Sequence, residues 1–199
     1  MVALRAAGFK TLHFQFRIAG FKTLPLEGTG HFERATINLK EMKNTMPQTG
    51  TVQWLSVRPE SRAPVEPLDE VAATTAHGLT GDHYDGTSGN RQVTLIQAEH
   101  LLAVAAILRM STLDPGLTRR NIVVAGINLL AFSEQQFQIG EAILEMTGPC
   151  RPCSRMEENL GPGGYNAMRG HGGITARVVK GGKIRVGDVV RLILAGNEQ

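Results

Sequence analysis

Only residues 97–110 have the length and one-sided apolar pattern of a multi-turn helix, with Leu101, Leu102, Ala105 and Leu108 on the predicted buried face. The other apolar runs are short, rich in β-branched residues, and stopped by glycine or proline. Such a chain lacks the material for a helical bundle. With 23 glycines and only 5% aromatics it must rely on turns and close backbone approaches. The expected fold class is α+β, mainly β, with a barrel-like sheet and few helices.

Taken in order, residues 51–57 read as a first core strand ending at Arg58-Pro59. Prolines at 59, 64 and 67 make residues 59–70 an irregular connection. Residues 91–96, 121–124, 141–147 and 174–179 read as further strands, and 184–192 as closing strands. Residues 132–137 read as a short polar crossing and 156–160 as a helical turn. Lys180-Gly181-Gly182-Lys183 carries a hairpin-turn signal.

Residues 1–46 read as an N-terminal extension and 47–199 as the main domain. Within the extension, Ala7-Gly8-Phe9-Lys10-Thr11-Leu12 recurs as Ala19-Gly20-Phe21-Lys22-Thr23-Leu24. Between the copies Phe14, Phe16 and Ile18 alternate with polar residues, which predicts a strand. Two readings stand. One is a β-hairpin that pairs with the main domain or a second subunit. The other is a segment upstream of a natural start at Met46.

A hydrophobic content of 42% excludes wholesale disorder. A net charge of +3 suits an anionic small-molecule ligand. It is too mild for nucleic acid, and no basic stripe with interleaved aromatics is present. No apolar run approaches the roughly 20 residues of a membrane span, so no membrane association is expected. Two cysteines cannot make a disulfide framework, and a reducing, cytoplasmic setting is expected.

Both cysteines lie in Gly148-Pro149-Cys150-Arg151-Pro152-Cys153-Ser154-Arg155. Nearby positive charge favours the thiolate, the form that binds metals and attacks electrophiles. The competing readings are a pair of structural cysteines and a dithiol redox pair. A zinc site that adds His171 lacks a second spaced histidine. Arg119-Arg120 can clamp a phosphate by bidentate hydrogen bonds or simply stand in solvent. The loop with His77, Asp82, His83 and Asp85 fits no zinc spacing, and reads as ligand-lining or merely solvated.

Several of these segments resemble one known family when read together. Gly81-Asp82-His83, Asn90-Arg91-Gln92-Val93, Arg119-Arg120-Asn121-Ile122-Val123, Ile139-Gly140, Cys150-Arg151-Pro152-Cys153 and Val186-Gly187-Asp188 fall in the order and spacing of the MOSC domain. That family is named for the C-terminal domain of molybdenum cofactor sulfurase. It includes the mitochondrial amidoxime-reducing component and bacterial N-hydroxyl reductases. The resemblance covers about residues 50–193.

It implies a MOSC-type barrel-like domain that binds a molybdenum–pterin cofactor (molybdopterin). Cys153 falls at the family's metal-ligand position, which makes it the catalytic and metal-binding candidate, and a soft thiolate suits such a centre. Cys150 precedes it at a variable position. Arg119 and Asn121 fall where relatives hold the cofactor's phosphate and pterin, with Arg120 at a position that relatives fill with proline. Arg91 is a further cofactor-binding candidate. Glycines at 161–164 and 170–173 would let backbone N–H groups approach the pterin. Family association extends to pyridoxal phosphate binding. The implied activity is reduction of N-hydroxylated small molecules by a molybdenum-dependent oxidoreductase. The chain carries no iron–sulfur or haem motif, so electrons would come from a separate donor protein. The other implied role is a carrier of the cofactor, or of sulfur as a Cys153 persulfide.

Overall fold

In the computed structural model, which describes residues 38–84 and 89–193, seven strands close into a barrel. The first described element is a short helix, α1 (Leu39–Asn44), inside the stretch read as the extension. Asn38 and Glu41 satisfy its first amides in a reciprocal capping box. The repeat and its predicted strand lie outside the described residues, as do Asp85 and Gly86.

The strands are β1 (Gly50–Val57), β2 (Glu66–Leu68), β3 (Glu70–Thr74), β4 (Gly78–Leu79), β5 (Val93–Gln97), β6 (Ile122–Ala125), β7 (Gln136–Ile139), β8 (Ala142–Pro149), β9 (Ile174–Lys180), β10 (Gly182–Arg185) and β11 (Val189–Ile193). The helices after α1 are α2 (Ala98–Ile107), α3 (Ser154–Leu160) and α4 (Gly164–Ala167). Around the barrel the order is β11-β7-β8-β9-β5-β6-β1, and pairing of Gly50 with Val190 closes it. Strand β2 continues the sheet from the far half of β1, while β3, β4 and β10 form a separate small sheet. All described pairings are antiparallel except β5–β6. A parallel pair needs a long crossover, and α2 supplies it.

Four expectations need correction. Residues 59–70 are not wholly irregular, since they contain β2 and the start of β3. Pro67 is tolerated because β2 pairs on one side only, with β1. The stretch 132–137 is more than a polar crossing. It ends a 3-10 turn (Leu129–Phe132) and begins β7, and Phe132 and Phe137 stack at 4.6 Å in the core. Gln136 and Gln138 hid the period-two alternation of Phe137 and Ile139. The hairpin at 180–183 does not form: β9 pairs with β8 and β5, whereas β10 pairs with β3. The two glycines instead let the chain leave the barrel. A Cβ at Gly182 would stand 2.6 Å from the Glu141 carbonyl carbon, too close for a side chain. Finally, the buried face of α2 is narrower than its apolar content suggests. Leu101, Val104 and Ala105 are buried, Leu108 is half-buried, and Leu102 is exposed. The helix rests on one barrel wall only.

That wall is buried on both sides. Val93 and Leu95 of β5 face the barrel core with Ile122, Phe137 and Leu144. Ile96 faces outward, joining Val123, Leu101, Val104, Met156 and Met168 in a second cluster. Alternate residues of one strand therefore serve two cores. Met156 and Met168 are almost fully buried, each worth about 2 kcal/mol of transfer free energy. They pin α3 and the α4 region to the barrel and so fix the chain between β8 and β9. Among the described residues no helix is long and apolar enough to cross a membrane.

Candidate functional site

The cysteine loop leaves β8 at Pro149 and ends where Cys153 starts α3. Cys150 is buried. Its backbone N–H donates to Gly173 O at 2.8 Å, and its carbonyl accepts from Arg120 Nη2 at 3.4 Å. Arg91 Nη2 lies 3.9 Å from its sulfur. The strand-side anchor needs glycine: Gly173 has φ +80°, and a Cβ there would overlap the carbonyl oxygen of Leu95. Cys153 is exposed, and its carbonyl accepts from Met156 N at 2.9 Å as the helix begins. One thiol is thus built into the wall and the other stands at the surface.

Both thiols line a cavity of about 230 Å³ together with six arginines: Arg58, Arg91, Arg119, Arg120, Arg151 and Arg155. His83, Tyr84, Thr94 and Met156 complete the lining, and no acidic residue contributes to it among the described residues. Arg120 is buried and shared among three carbonyls, with Nε on Gly172 O and Nη1 on Thr118 O, both at 2.7 Å, and Nη2 on Cys150 O. Burial pushes its pKa down, opposed by the two neighbouring cysteines. Arginine nevertheless keeps its charge in proteins. Arg119 sits in a left-handed conformation (φ 57°) and makes one hydrogen bond, Nη1 to Ala63 O at 3.1 Å. Its pKa is lowered, first by partial burial and then by repulsion from Arg58 and Arg155. Cations crowded in this way attract an anion.

Asn121 is fully occupied by protein partners. Its Oδ1 accepts from Thr94 N at 3.0 Å and from Thr94 Oγ1 at 2.7 Å. Its Nδ2 donates to Ser56 O at 3.3 Å and to Asp82 Oδ2 at 3.0 Å. Asp82 in turn accepts from the Arg58 backbone N–H at 2.9 Å and pairs with Arg58 Nη2 at 3.3 Å. Asn121 is buried and does not line the cavity, so its place in the chain of contacts is to hold Asp82, which holds Arg58. Arg58 Nε is buried without a hydrogen-bond partner among the described residues.

The structure therefore brings Arg91, Arg119 and Cys153 to one cavity and places Asn121 behind it. Of the glycines expected to approach a cofactor, Gly161 and Gly170 face open space, whereas three are packed against the protein. Gly172 and Gly173 are packed against Cys150 and Leu95, and Gly164 against Met156. Sequence reasoning missed Arg58, which ends β1 some 60 residues before the arginine pair, and missed the cavity roles of Arg151 and Arg155. The Arg58-Pro59 pair was visible only as a strand terminator. Among the described residues no three His, Cys, Asp or Glu side chains cluster as a metal cage. A metal ion held here would need most of its ligands from a cofactor. Among the described residues the same lining contains no lysine, and nothing in it supports pyridoxal phosphate binding.

The closed barrel thus carries an exposed cysteine beside a cavity in which four of six arginines meet no acid among the described residues. The profile of the MOSC domain matches residues 80–191, more than half the chain, and this protein belongs to the MOSC domain family. MOSC domains are associated with molybdenum cofactor binding. Solved structures agree on the fold. The YuaD protein from Bacillus subtilis is similar with a TM-score of 0.63 at 18% identity, over 72% of this chain and 95% of that one. YiiM from Geobacillus stearothermophilus is similar with a TM-score of 0.61 at 17% identity, over 74% of this chain and 77% of that one. YiiM from Escherichia coli is similar with a TM-score of 0.56 at 19% identity, over 72% of this chain and 69% of that one. No curated protein matches the chain.

Proposed function

We propose that this protein binds a molybdenum–pterin cofactor with Cys153 as the thiolate ligand and reduces N-hydroxylated small molecules. The observation that carries this reading is the exposed Cys153 in a cavity lined by six arginines and, among the described residues, no acid. A soft thiolate matches molybdenum, and the arginines match a cofactor phosphate. When bound, such a cofactor supplies two-electron oxygen-atom chemistry. Reducing an N-hydroxyl group to the parent amine takes two electrons and two protons and releases water. The electrons would come from a separate donor protein.

The chain's own residues have distinct tasks in this reading. Arg119 and Arg58 hold the anionic group, with Asp82 and Asn121 fixing Arg58 in place. Arg120 ties the loop at Gly172 to the cysteine loop and so orients Cys153. Cys150 is the buried wall against Arg91, not the ligand.

One observation favours a second role. Cys153 is exposed and therefore accessible to a partner protein, as a carrier of the cofactor or of a persulfide requires. Turnover with an artificial electron donor separates the two. The decisive experiment is molybdenum analysis with cofactor extraction, using protein from a host that makes the pterin. The expected result is near one metal per chain, lost together with all activity in Cys153→Ala and largely kept in Cys150→Ser. Full loading and activity in Cys153→Ala would end the ligand assignment.

A further inference from the structure

A second cleft of about 470 Å³ opens beside the cysteine cavity, lined by Arg151, Pro152, Tyr165, Arg169 and Gly170. Arg151 lines both. Three features set this cleft apart from ordinary charged surface.

First, neither Arg151 nor Arg169 makes an ion pair or side-chain hydrogen bond among the described residues. Several other surface arginines are paired: Arg155 with Glu158, Arg177 with Glu145, and Arg185 with Glu70 and Glu141. Second, the Glu157 carboxylate is engaged with backbone amides and pairs with neither arginine. It accepts from Gly163 N at 2.7 Å and Tyr165 N at 2.8 Å, and these bonds hold its pKa below the usual carboxylate range. That grip also fixes the backbone that presents Tyr165. Third, Tyr165 is 42% exposed, and it lines the cleft together with the half-buried Pro152.

We infer that this cleft is a substrate-side subsite for a small aromatic ring carrying one carboxylate or phosphate. The ring lies against Tyr165 and Pro152, and the anion meets the forks of Arg169 and Arg151. The arrangement selects planar anions over neutral isosteres, because only the anion satisfies both guanidinium groups. The subsite's position beside Cys153 rests on the reading above, but its binding needs neither metal nor cofactor. The two ideas therefore fail separately.

The test is calorimetric titration of the full chain with benzoate, phenyl phosphate and benzamide at low salt. Saturable binding of benzoate or phenyl phosphate is expected, about tenfold or more tighter than benzamide. The tighter of the two anions identifies carboxylate or phosphate as the natural group. Arg169→Gln should weaken that binding about tenfold or more with its melting temperature unchanged, and Arg177→Gln, outside both cavities, should leave it intact. Three results would overturn the proposal: no saturable binding of either anion, equal affinity for benzamide, or loss of binding in Arg119→Gln rather than Arg169→Gln. The last would place the anion in the cysteine cavity.

Discussion

Two charged regions of this molecule use the same residue types to opposite ends. On the small sheet, Lys183 and Arg185 meet Glu70 and Glu141, and Asp188 accepts from the Arg185 backbone N–H. Each cation there has an acid within 3.4 Å, and all of them are exposed. At the cysteine loop six arginines surround one cavity; among the described residues Arg58 pairs with Asp82 and Arg155 with Glu158, while Arg91, Arg119, Arg120 and Arg151 meet no acid. Charges that are balanced and solvated make small, screened contributions to stability. Charges left unbalanced around a concave surface stay available to a ligand. Arginine count therefore says little about function, and the presence or absence of a partnering acid says a great deal.

The sharpest way to break this comparison is Arg120→Met. It deprives the carbonyls of Thr118, Cys150 and Gly172 of their donor inside the protein. With about 1 kcal/mol or more for each orphaned acceptor, the loss is about 3 kcal/mol. The melting temperature should then fall by roughly 10 °C. Arg185→Met on the small sheet should leave it almost unchanged. Thermal denaturation of the two variants side by side decides the matter, and similar drops would mean that the two regions are not different in kind.

Asn121→Ala probes the layer behind the cavity. It leaves Thr94 N without its acceptor and takes one of the donors from Asp82, which keeps only Arg58, at a cost of about 2 kcal/mol. Urea unfolding should show that loss. Retention of the cofactor should fall too, because Asp82 no longer holds Arg58 firmly. A variant that loses stability yet keeps full cofactor affinity would separate Asn121 from the site altogether.

These two residues also show what the sequence could and could not reveal. The barrel strands were legible wherever apolar residues ran continuously, as in 51–57 and 174–179, because a strand buried on one or both faces leaves that mark. Strand β7 was not, since glutamines occupy its outward positions. The destination of β10 was not either. A Gly-Gly turn permits a hairpin without requiring one, and only the packing of Gly182 on Glu141 decides against it. At the site, Arg91, Arg119 and Cys153 were visible as residue types in spaced motifs. Asn121 was visible too, but whether its amide faces a ligand or the protein depends on Ser56 and Asp82, which are distant in sequence. Arg58 carried no local signal at all, because its significance lies in an unpartnered Nε that only the folded chain creates.

Arg119→Gln should sharpen the comparison from the functional side. The side chain has one hydrogen bond to lose, to a carbonyl at the protein surface, so the melting temperature should barely change. Binding of the cofactor, or of inorganic phosphate as a simpler probe, should weaken about tenfold, and its salt dependence should become shallower. Calorimetry with phosphate at two salt concentrations measures both effects. Unchanged affinity would remove Arg119 from the anion site.

The smallest effect belongs to the balanced region, and its sign can be worked out. Hydrogen bonding and charge from Lys183 hold the Glu70 carboxyl below the usual carboxylate range against the opposing effect of desolvation, and Arg185 adds to the lowering. The unfolded chain then takes up a proton at Glu70 more readily than the folded one. The carboxylate's contribution is fully present at neutral pH, and it fades as the pH falls below the ordinary carboxylate value and through the lowered one. Glu70→Gln should therefore flatten the acid limb of a melting-temperature profile and leave the neutral region nearly untouched. High salt should shrink the difference between the two proteins, since every partner is exposed. If the difference persisted at high salt, the network on the small sheet would be contributing more than screened surface pairs can, and the contrast with the cysteine cavity would have to be drawn on ligand affinity alone.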